Sequence, residues 1–390
     1  MKIALNIEYF SPSKGGGETY AANFAAALLQ KGHEVHVFAD SWEEVHPDIV
    51  FHRVPSAGLG GLFREWRFAA RSARALKEHD FDIIQGFGKV LYMDVYRPGG
   101  GVHKQWFHHD LQAIDSAGAR ALKRLSRRIS PRQMIKFAIE RMQYQSGTVR
   151  RVIAVSNMVK RHIVESYDFS EERICVICNG VDLEKFHPAH RDAHRAEVRS
   201  RVGLKDEIVV LCVANNFKLK GVRYLIKALA ELVRERKFVG LIVGRDKPGP
   251  YASLARDLGC EDRVIFTGGA SDVERFYAAA DILVHPSFYD PCANVCLEAL
   301  ASGLPTITTR QNGSGEILTE GKEGFVIDTP KDVDAMADRI RRLGDDEFRR
   351  SAGRAARALA EQHSIERNYR DVMRVYEDVL AEKRAESAKG

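Results

Sequence analysis

The sequence predicts an α/β protein of two doubly wound halves, and three observations carry that expectation. Short runs rich in Val, Ile and Leu alternate with longer stretches of helical character along the chain. That is the pattern of parallel strands covered by helices on both faces. The series restarts near residue 208, each half opening with an apolar strand and a glycine-bearing turn, and the 390 residues suffice for two such halves at roughly 100–200 residues per domain.

In the first half, residues 2–7 read as a buried strand. The turn Lys14-Gly15-Gly16-Gly17 follows, then a helix over 18–30 that Gly32 ends. Further strands are expected at 34–38, 50–54, 82–85, 152–155 and 174–177, with helices over 64–79 and 158–166. In the second half the strands are 208–213, 239–243, 264–266, 282–284 and 306–307, a helix covers 222–234, and the tail from about 332 to 386 is helical almost throughout. The joint is expected at Asn179-Gly180-Val181-Asp182, followed by a polar run over 187–201. The domains are therefore 1–180 and 181–365, with a last helix over about 366–390.

Composition narrows the class. With 45% apolar and 29% charged residues, disorder and fibrous structure are excluded. The longest stretch free of Asp, Glu, Lys and Arg is residues 19–30, too short for a transmembrane helix of about 20 residues. The start reaches Glu8 before a signal-peptide core could form, and six Cys in so long a chain do not make a disulfide scaffold. A cytosolic protein is expected. Its net charge of +6 is uneven, because residues 117–141 hold Arg120, Lys123, Arg124, Arg127, Arg128, Arg132, Lys136 and Arg141 against Glu140 alone. A local field of that kind concerns partners rather than fold.

Three segments can carry chemistry. Gly15-Gly16-Gly17-Glu18 lies between a strand and a helix, where close backbone approach and an N-terminal helix dipole favour an anion; a tight turn without a ligand is the plain alternative. The spacing is not that of the dinucleotide fingerprint. At the corresponding point of the second half, Asn216-Phe217-Lys218-Leu219-Lys220-Gly221 offers Lys218 and Lys220 to a diphosphate, or simply solvated surface lysines. The third segment runs from His285 to Ala299 and places Asp290 just before a helix and Glu298 about one and a half turns into it. A carboxylate accepts two hydrogen bonds at once and so suits vicinal hydroxyls of a sugar or ribose. Otherwise Asp290 caps the helix and Glu298 is a surface residue.

Asp290-x7-Glu298 ending in Glu-Ala, with Ser302-Gly303-Leu304-Pro305 after it, resembles the E-x7-E signature of retaining GT-B glycosyltransferases of family four. So do Gly16-Gly17-Glu18, Gly32-His33-Glu34-Val35, Ala154-Val155-Ser156, Asn179-Gly180-Val181-Asp182 and Lys220-Gly221, in matching order along nearly the whole chain. Gly86-Phe87-Gly88-Lys89, Met93-Asp94-Val95-Tyr96, Val243-Gly244-Arg245-Asp246-Lys247-Pro248 and the basic segment look like the lipopolysaccharide core glucosyltransferase (WaaG-like) branch.

The resemblance implies two Rossmann-like domains facing across a cleft, the last helix crossing back onto the N-terminal one, and transfer of a hexose, glucose from UDP-glucose, to a heptose of the core. It puts Glu298 on the ribose, Asp290 and Asn294 toward the donor, Lys220 and Lys218 on the diphosphate and the Gly16 and Gly17 amides over it. His103 joins the catalytic set and Lys89 the acceptor side. Two residues depart from the pattern: Asp290 stands where Glu is usual, and Leu219 where an Arg commonly precedes the Lys. No metal or other cofactor is implied, and neither Asp80-Phe81-Asp82 nor Asp332-Val333-Asp334 lies at a strand end facing the expected site.

Arg120, Lys123, Arg124, Arg127 and Arg128 recur at helical spacing beside Leu122, Leu125 and Ile129. This is a basic amphipathic face suited to an anionic membrane or a solvated helix; no nucleic-acid motif accompanies it. The rival functions are a nucleotide-sugar epimerase of the same fold and a catalytically silent, membrane-associated nucleotide-sugar binder. Cys175-x2-Cys178 falls on a strand, where residues three apart point to opposite faces, so zinc is not expected there.

Overall fold

The computed structural model describes residues 1–57, 61–235 and 237–388. They form two compact units, one of Met1–Cys178 with the chain from Asn368 onward, the other of Asn179–Arg367.

The first unit contains β1 (Lys2–Asn6), β2 (Tyr9–Phe10), β3 (Glu34–Ala39), β4 (Ser41–Trp42), β5 (Val50–Arg53), β6 (Ile83–Phe87), β7 (Val95–Arg97), β8 (Arg151–Ala154) and β9 (Ile174–Val176). Seven of these make a parallel sheet in the order β5-β3-β1-β6-β7-β8-β9, and β2 pairs with β4. Ile3, Leu5, Val37 and Ile83 are fully buried, as befits strands covered on both faces. The helices are α1 (Gly16–Gln30), α2 (Arg64–Leu76), α3 (His103–Gln112), α4 (Ala117–Arg128), α5 (Pro131–Gln145) and α6 (Asn157–Tyr167).

The second unit adds β10 (Ile208–Val213), β11 (Phe238–Val243), β12 (Val264–Gly268), β13 (Ile282–His285), β14 (Thr306–Thr309) and β15 (Gly324–Ile327), a parallel sheet in the order β12-β11-β10-β13-β14-β15. Its helices are α7 (His190–Arg201), α8 (Val222–Glu231), α9 (Gly249–Asp257), α10 (Val273–Ala279), α11 (Asn294–Ala301), α12 (Val333–Arg342) and α13 (Asp346–Ala360). The final helix, α14 (Ile365–Ser387), runs on into the first unit. There Tyr369, Val372, Tyr376 and Val379 are buried, Tyr20 Oη donates to Asn368 Oδ1 at 2.9 Å, and Lys383 Nζ donates to the Asp82 carbonyl at 2.8 Å.

Each sheet reverses its winding between two central strands, β1 and β6 in one and β10 and β13 in the other. In open α/β sheets that reversal opens a crevice at the carboxyl ends of the strands, where ligands bind. The polar run expected at the joint is the helix α7. Its Arg191, Arg195 and Arg199, spaced by four, all reach the carboxylate of Asp281. The helical tail consists of three helices, interrupted after Arg342 and again around His363.

Candidate functional site

In the second unit the loop after β10 and the loop after β13 are pressed together. Gly221 has φ +69°, and a Cβ there would lie 2.1 Å from the Pro286 carbonyl oxygen, so only glycine allows this approach. Leu219, where the pattern led us to look for a cation, is buried. Its carbonyl accepts from Phe288 N–H at 2.8 Å and from Ser287 Oγ at 3.4 Å, stitching the two loops.

The stitched loops bring Lys220 onto Asp290, with the ammonium donating to Oδ2. His285, the last residue of β13, donates from Nε2 to the same oxygen at 3.2 Å. Burial pushes the Asp290 carboxyl up, but Lys220 and His285 outweigh it and hold the group well below the usual carboxylate range. His285 is nearly fully buried; burial, aided by Lys220, lowers its pKa against the pull of Asp290, and its Nδ1 has no hydrogen-bond partner. The centre is thus an ionised carboxylate gripped by an ammonium and a neutral imidazole. Asp290 is also fixed by its backbone, since its N–H donates to Gln311 O and its carbonyl accepts from Gly313 N–H, each at 2.9 Å.

Helix α11 starts four residues later. No side chain caps it from the N-cap residue Ala293; Asn312 Oδ1 instead accepts from Ala293 N–H at 3.2 Å. The side chain of Asn294 accepts from Asn179 Nδ2 at 2.7 Å. Glu298 accepts from the hydroxyl of the buried Tyr277 at 2.7 Å, and burial raises its pKa. Lys218 is part-buried in the same loop as Lys220. Sequence reasoning gave no role to His285, Tyr277 or Asn312. His285 lies inside the quoted segment, whereas Tyr277 is 21 residues from Glu298 and has no local signal.

In the first unit Gly15 is extended, α1 begins at Gly16, and no side chain caps the helix. A Cβ on Gly17 would meet open space, while the carboxylate of Glu18 folds back toward Gly15. Thr19 instead anchors the loop, its hydroxyl donating to Pro12 O at 2.8 Å.

His103 and Lys89 converge on one buried carboxylate. Glu140 accepts from Lys89 Nζ at 3.1 Å, from the His103 backbone N–H at 2.7 Å and from the Tyr167 hydroxyl. The His103 ring is placed by Gln133 Oε1, 2.8 Å from Nε2, and by stacking on Trp106 at 5.3 Å. That contact assigns the proton to Nε2 and leaves Nδ1 as an acceptor. Burial, then Lys89, lowers the His103 pKa, and burial lowers that of Lys89 against the pull of Glu140.

On α4, Lys123, Arg124 and Arg128 are exposed, but Arg120 and Arg127 turn inward. Arg120 donates to the carbonyls of Ile114 and Asp115, and Arg127 pairs with buried Asp110 at 2.6 Å. Among the described residues, no group of three or more His, Cys, Asp or Glu side chains could hold a metal, and no helix is long and apolar enough to cross a membrane.

Two doubly wound, Rossmann-like units in one chain are the architecture of the GT-B fold. The family model described as Glycosyltransferase Family 4 matches residues 14–185, and that of glycosyl transferases group 1 matches residues 194–359. The chain belongs to glycosyltransferase family 4. It is 27% identical over 332 residues to the lipopolysaccharide glucosyltransferase WaaG of Escherichia coli (strain K12), covering 84% of this chain and 86% of that protein. It is 26% identical over 398 residues to N-acetyl-alpha-D-glucosaminyl L-malate synthase of Bacillus anthracis, covering 97% and 98%. The crystal structure of WaaG superposes with a TM-score of 0.81 at 25% identity, over 96% of this chain and 99% of that one.

Proposed function

We propose that this enzyme transfers a hexose, glucose from UDP-glucose, onto a heptose of the lipopolysaccharide core with retention at the anomeric carbon. The observation that carries the reading is the meeting of Lys220 and Asp290 at the carboxyl ends of β10 and β13. An ammonium has three donors; with one spent on Asp290, two remain for phosphate oxygens. As the glycosidic bond breaks, the leaving diphosphate gains negative charge, which Lys220, Lys218 and the uncapped N-terminus of α11 stabilise. Glu298 holds the ribose, Asn294 orients the donor, and Asp290 takes a sugar hydroxyl through its second oxygen. Gly16 and Gly17 supply amides to an anion at the start of α1, His103 belongs to the catalytic set, and Lys89 serves the acceptor side. The similarity to the lipopolysaccharide glucosyltransferase WaaG supports glucose as the sugar and lipopolysaccharide as the acceptor class.

The test is a thermal-shift screen of UDP-, GDP- and ADP-sugars, since a ligand at 100 times its Kd stabilises by about 2.7 kcal/mol. It is followed by NMR of the anomeric configuration in the product formed on a heptose acceptor. UDP-glucose should stabilise the protein and give the retained anomer. Conversion of the UDP-sugar without acceptor would mean an epimerase, and binding without turnover a silent binder.

A second reading concerns location, on the cytoplasmic face of the inner membrane. Leu122, Leu125 and Ile129 are 70%, 59% and 71% exposed beside exposed Lys123, Arg124 and Arg128. Replacing those three cations with Gln is expected to weaken sedimentation with phosphatidylglycerol vesicles about a hundredfold, at about 1 kcal/mol per charge. Unchanged sedimentation would remove the docking face.

A further inference from the structure

Helices α3, α4 and α5 line an open cavity of about 510 Å³ that the site described above does not use. Its wall is apolar at Phe107, Phe137 and Met134, and Lys104, Arg128 and Gln133 are among the six polar residues that also line it. Lys104 and Arg128 are exposed, and Met134 is 61% exposed. Helix α4 buries none of its residues; the Arg127–Asp110 pair and the Arg120 contacts hold it in place, leaving its apolar side chains uncovered. An apolar chamber, a cationic edge and a neighbouring uncovered apolar ridge are complementary to one amphiphile, an anionic head on a hydrocarbon chain.

We infer that this cavity takes up the acyl chain of a single anionic phospholipid, whose phosphate pairs with Lys104 and Arg128. The inference deepens the membrane-docking reading and rests on it only for the source of the lipid. It differs from that reading in kind, because electrostatic docking needs charge at a surface whereas this site needs a hollow. The hollow also adjoins His103. Gln133 hydrogen-bonds His103 at 2.8 Å, and the rings of Phe137 and His103 have centroids 5.2 Å apart, so an occupied cavity changes the packing around His103.

The experiment separates cavity from surface. Lysophosphatidylglycerol, one chain on an anionic head, is titrated below its micelle concentration by calorimetry into the wild type, Met134→Arg and Met134→Leu. Met134→Arg puts a charge at the apolar wall while raising the surface charge, so it is expected to bind the lysolipid about tenfold more weakly or worse. The same variant should sediment with phosphatidylglycerol vesicles at least as well as wild type, and Met134→Leu should bind lysolipid like wild type. Lysophosphatidylcholine, with the same chain and no net charge, should bind several-fold more weakly.

Equal lysolipid affinity in the wild type and Met134→Arg would overturn the inference, as would equal affinity for glycerol 3-phosphate, which has no chain. So would a wild type that binds no lysolipid but self-associates through this face in a manner that Met134→Arg abolishes. Failure of vesicle sedimentation alone would count against docking, while the monomeric lysolipid would still decide the cavity.

Discussion

The two units share a winding order, and each sets a lysine beyond a central strand, yet the two lysines live in different chemistry. Lys220 meets a carboxylate that it and His285 keep ionised. Lys89 meets Glu140, which is 1% exposed and also accepts from the Tyr167 hydroxyl and the His103 amide. The first pair occupies a single carboxylate oxygen beside an uncapped helix, with donors to spare for an anion. The second carboxylate carries the Tyr167 hydroxyl and the His103 amide as well, so less of its acceptor capacity is left. One topology therefore sets a lysine–carboxylate pair in each unit, and the two pairs differ in how many donors the carboxylate already holds.

The sharpest way to break this comparison is to delete each lysine. Lys220→Ala is expected to lower kcat/KM for transfer by 10²–10³, the cost of about 3–4 kcal/mol for one lost contact to developing charge. Lys89→Ala should leave UDP affinity unchanged by calorimetry. Comparable losses of UDP affinity in both variants would erase the distinction. Glu298→Ala comes next: a charge-assisted hydrogen bond contributes about 1.5–3 kcal/mol, so UDP affinity should fall at least tenfold, and unchanged affinity would remove Glu298 from the ribose. Glu140→Gln probes the second pair instead. It leaves Lys89 without its counter-charge and should lower Tm by a few degrees with UDP affinity intact; a weakened UDP affinity at unchanged Tm would contradict the structural role.

The elements legible in the sequence were those whose signal is local. Strands such as β1, β10 and β11 are continuous apolar runs, and the spacing of Asp290 and Glu298 on either side of a helix start can be read directly. Strands β7 and β15, three and four residues long, are too short for a period to register. Helix α3 follows Gly99-Gly100-Gly101, which reads as a loop, and its His103-Lys104-Gln105-Trp106 start has no apolar stripe. Helix α7 looked like polar connecting chain because its stabilising surface is made of arginines that fold onto Asp281, some 80 residues away. The site shows the same division. Which residues are charged was visible, but not that His285 and Lys220 would share one oxygen, nor that Arg127 would turn inward to Asp110.

The smallest expected effect tests whether His285 is neutral at its post. Its folded pKa lies below the ordinary histidine value, so below about pH 6.5 the unfolded chain binds a proton that the fold refuses. The stability due to this residue is present above pH 6.5 and drains away as pH falls from there. Asp290 behaves with the same sign but further down, losing its contribution only as pH drops from the ordinary carboxylate range through its depressed folded value. In the first unit His109 and His162, each lowered to about 4 chiefly by burial, drain over the same span as His285. The wild-type slope therefore mixes both units, and the informative quantity is a difference. His285→Gln keeps a donor for Asp290 and removes one titration. Its Tm between pH 7 and 5 should fall less steeply than wild type, by about 2–4 °C per pH unit at most. Parallel curves would mean that His285 already carries a proton in the fold, and the carboxylate it touches would then be held by two cations rather than one.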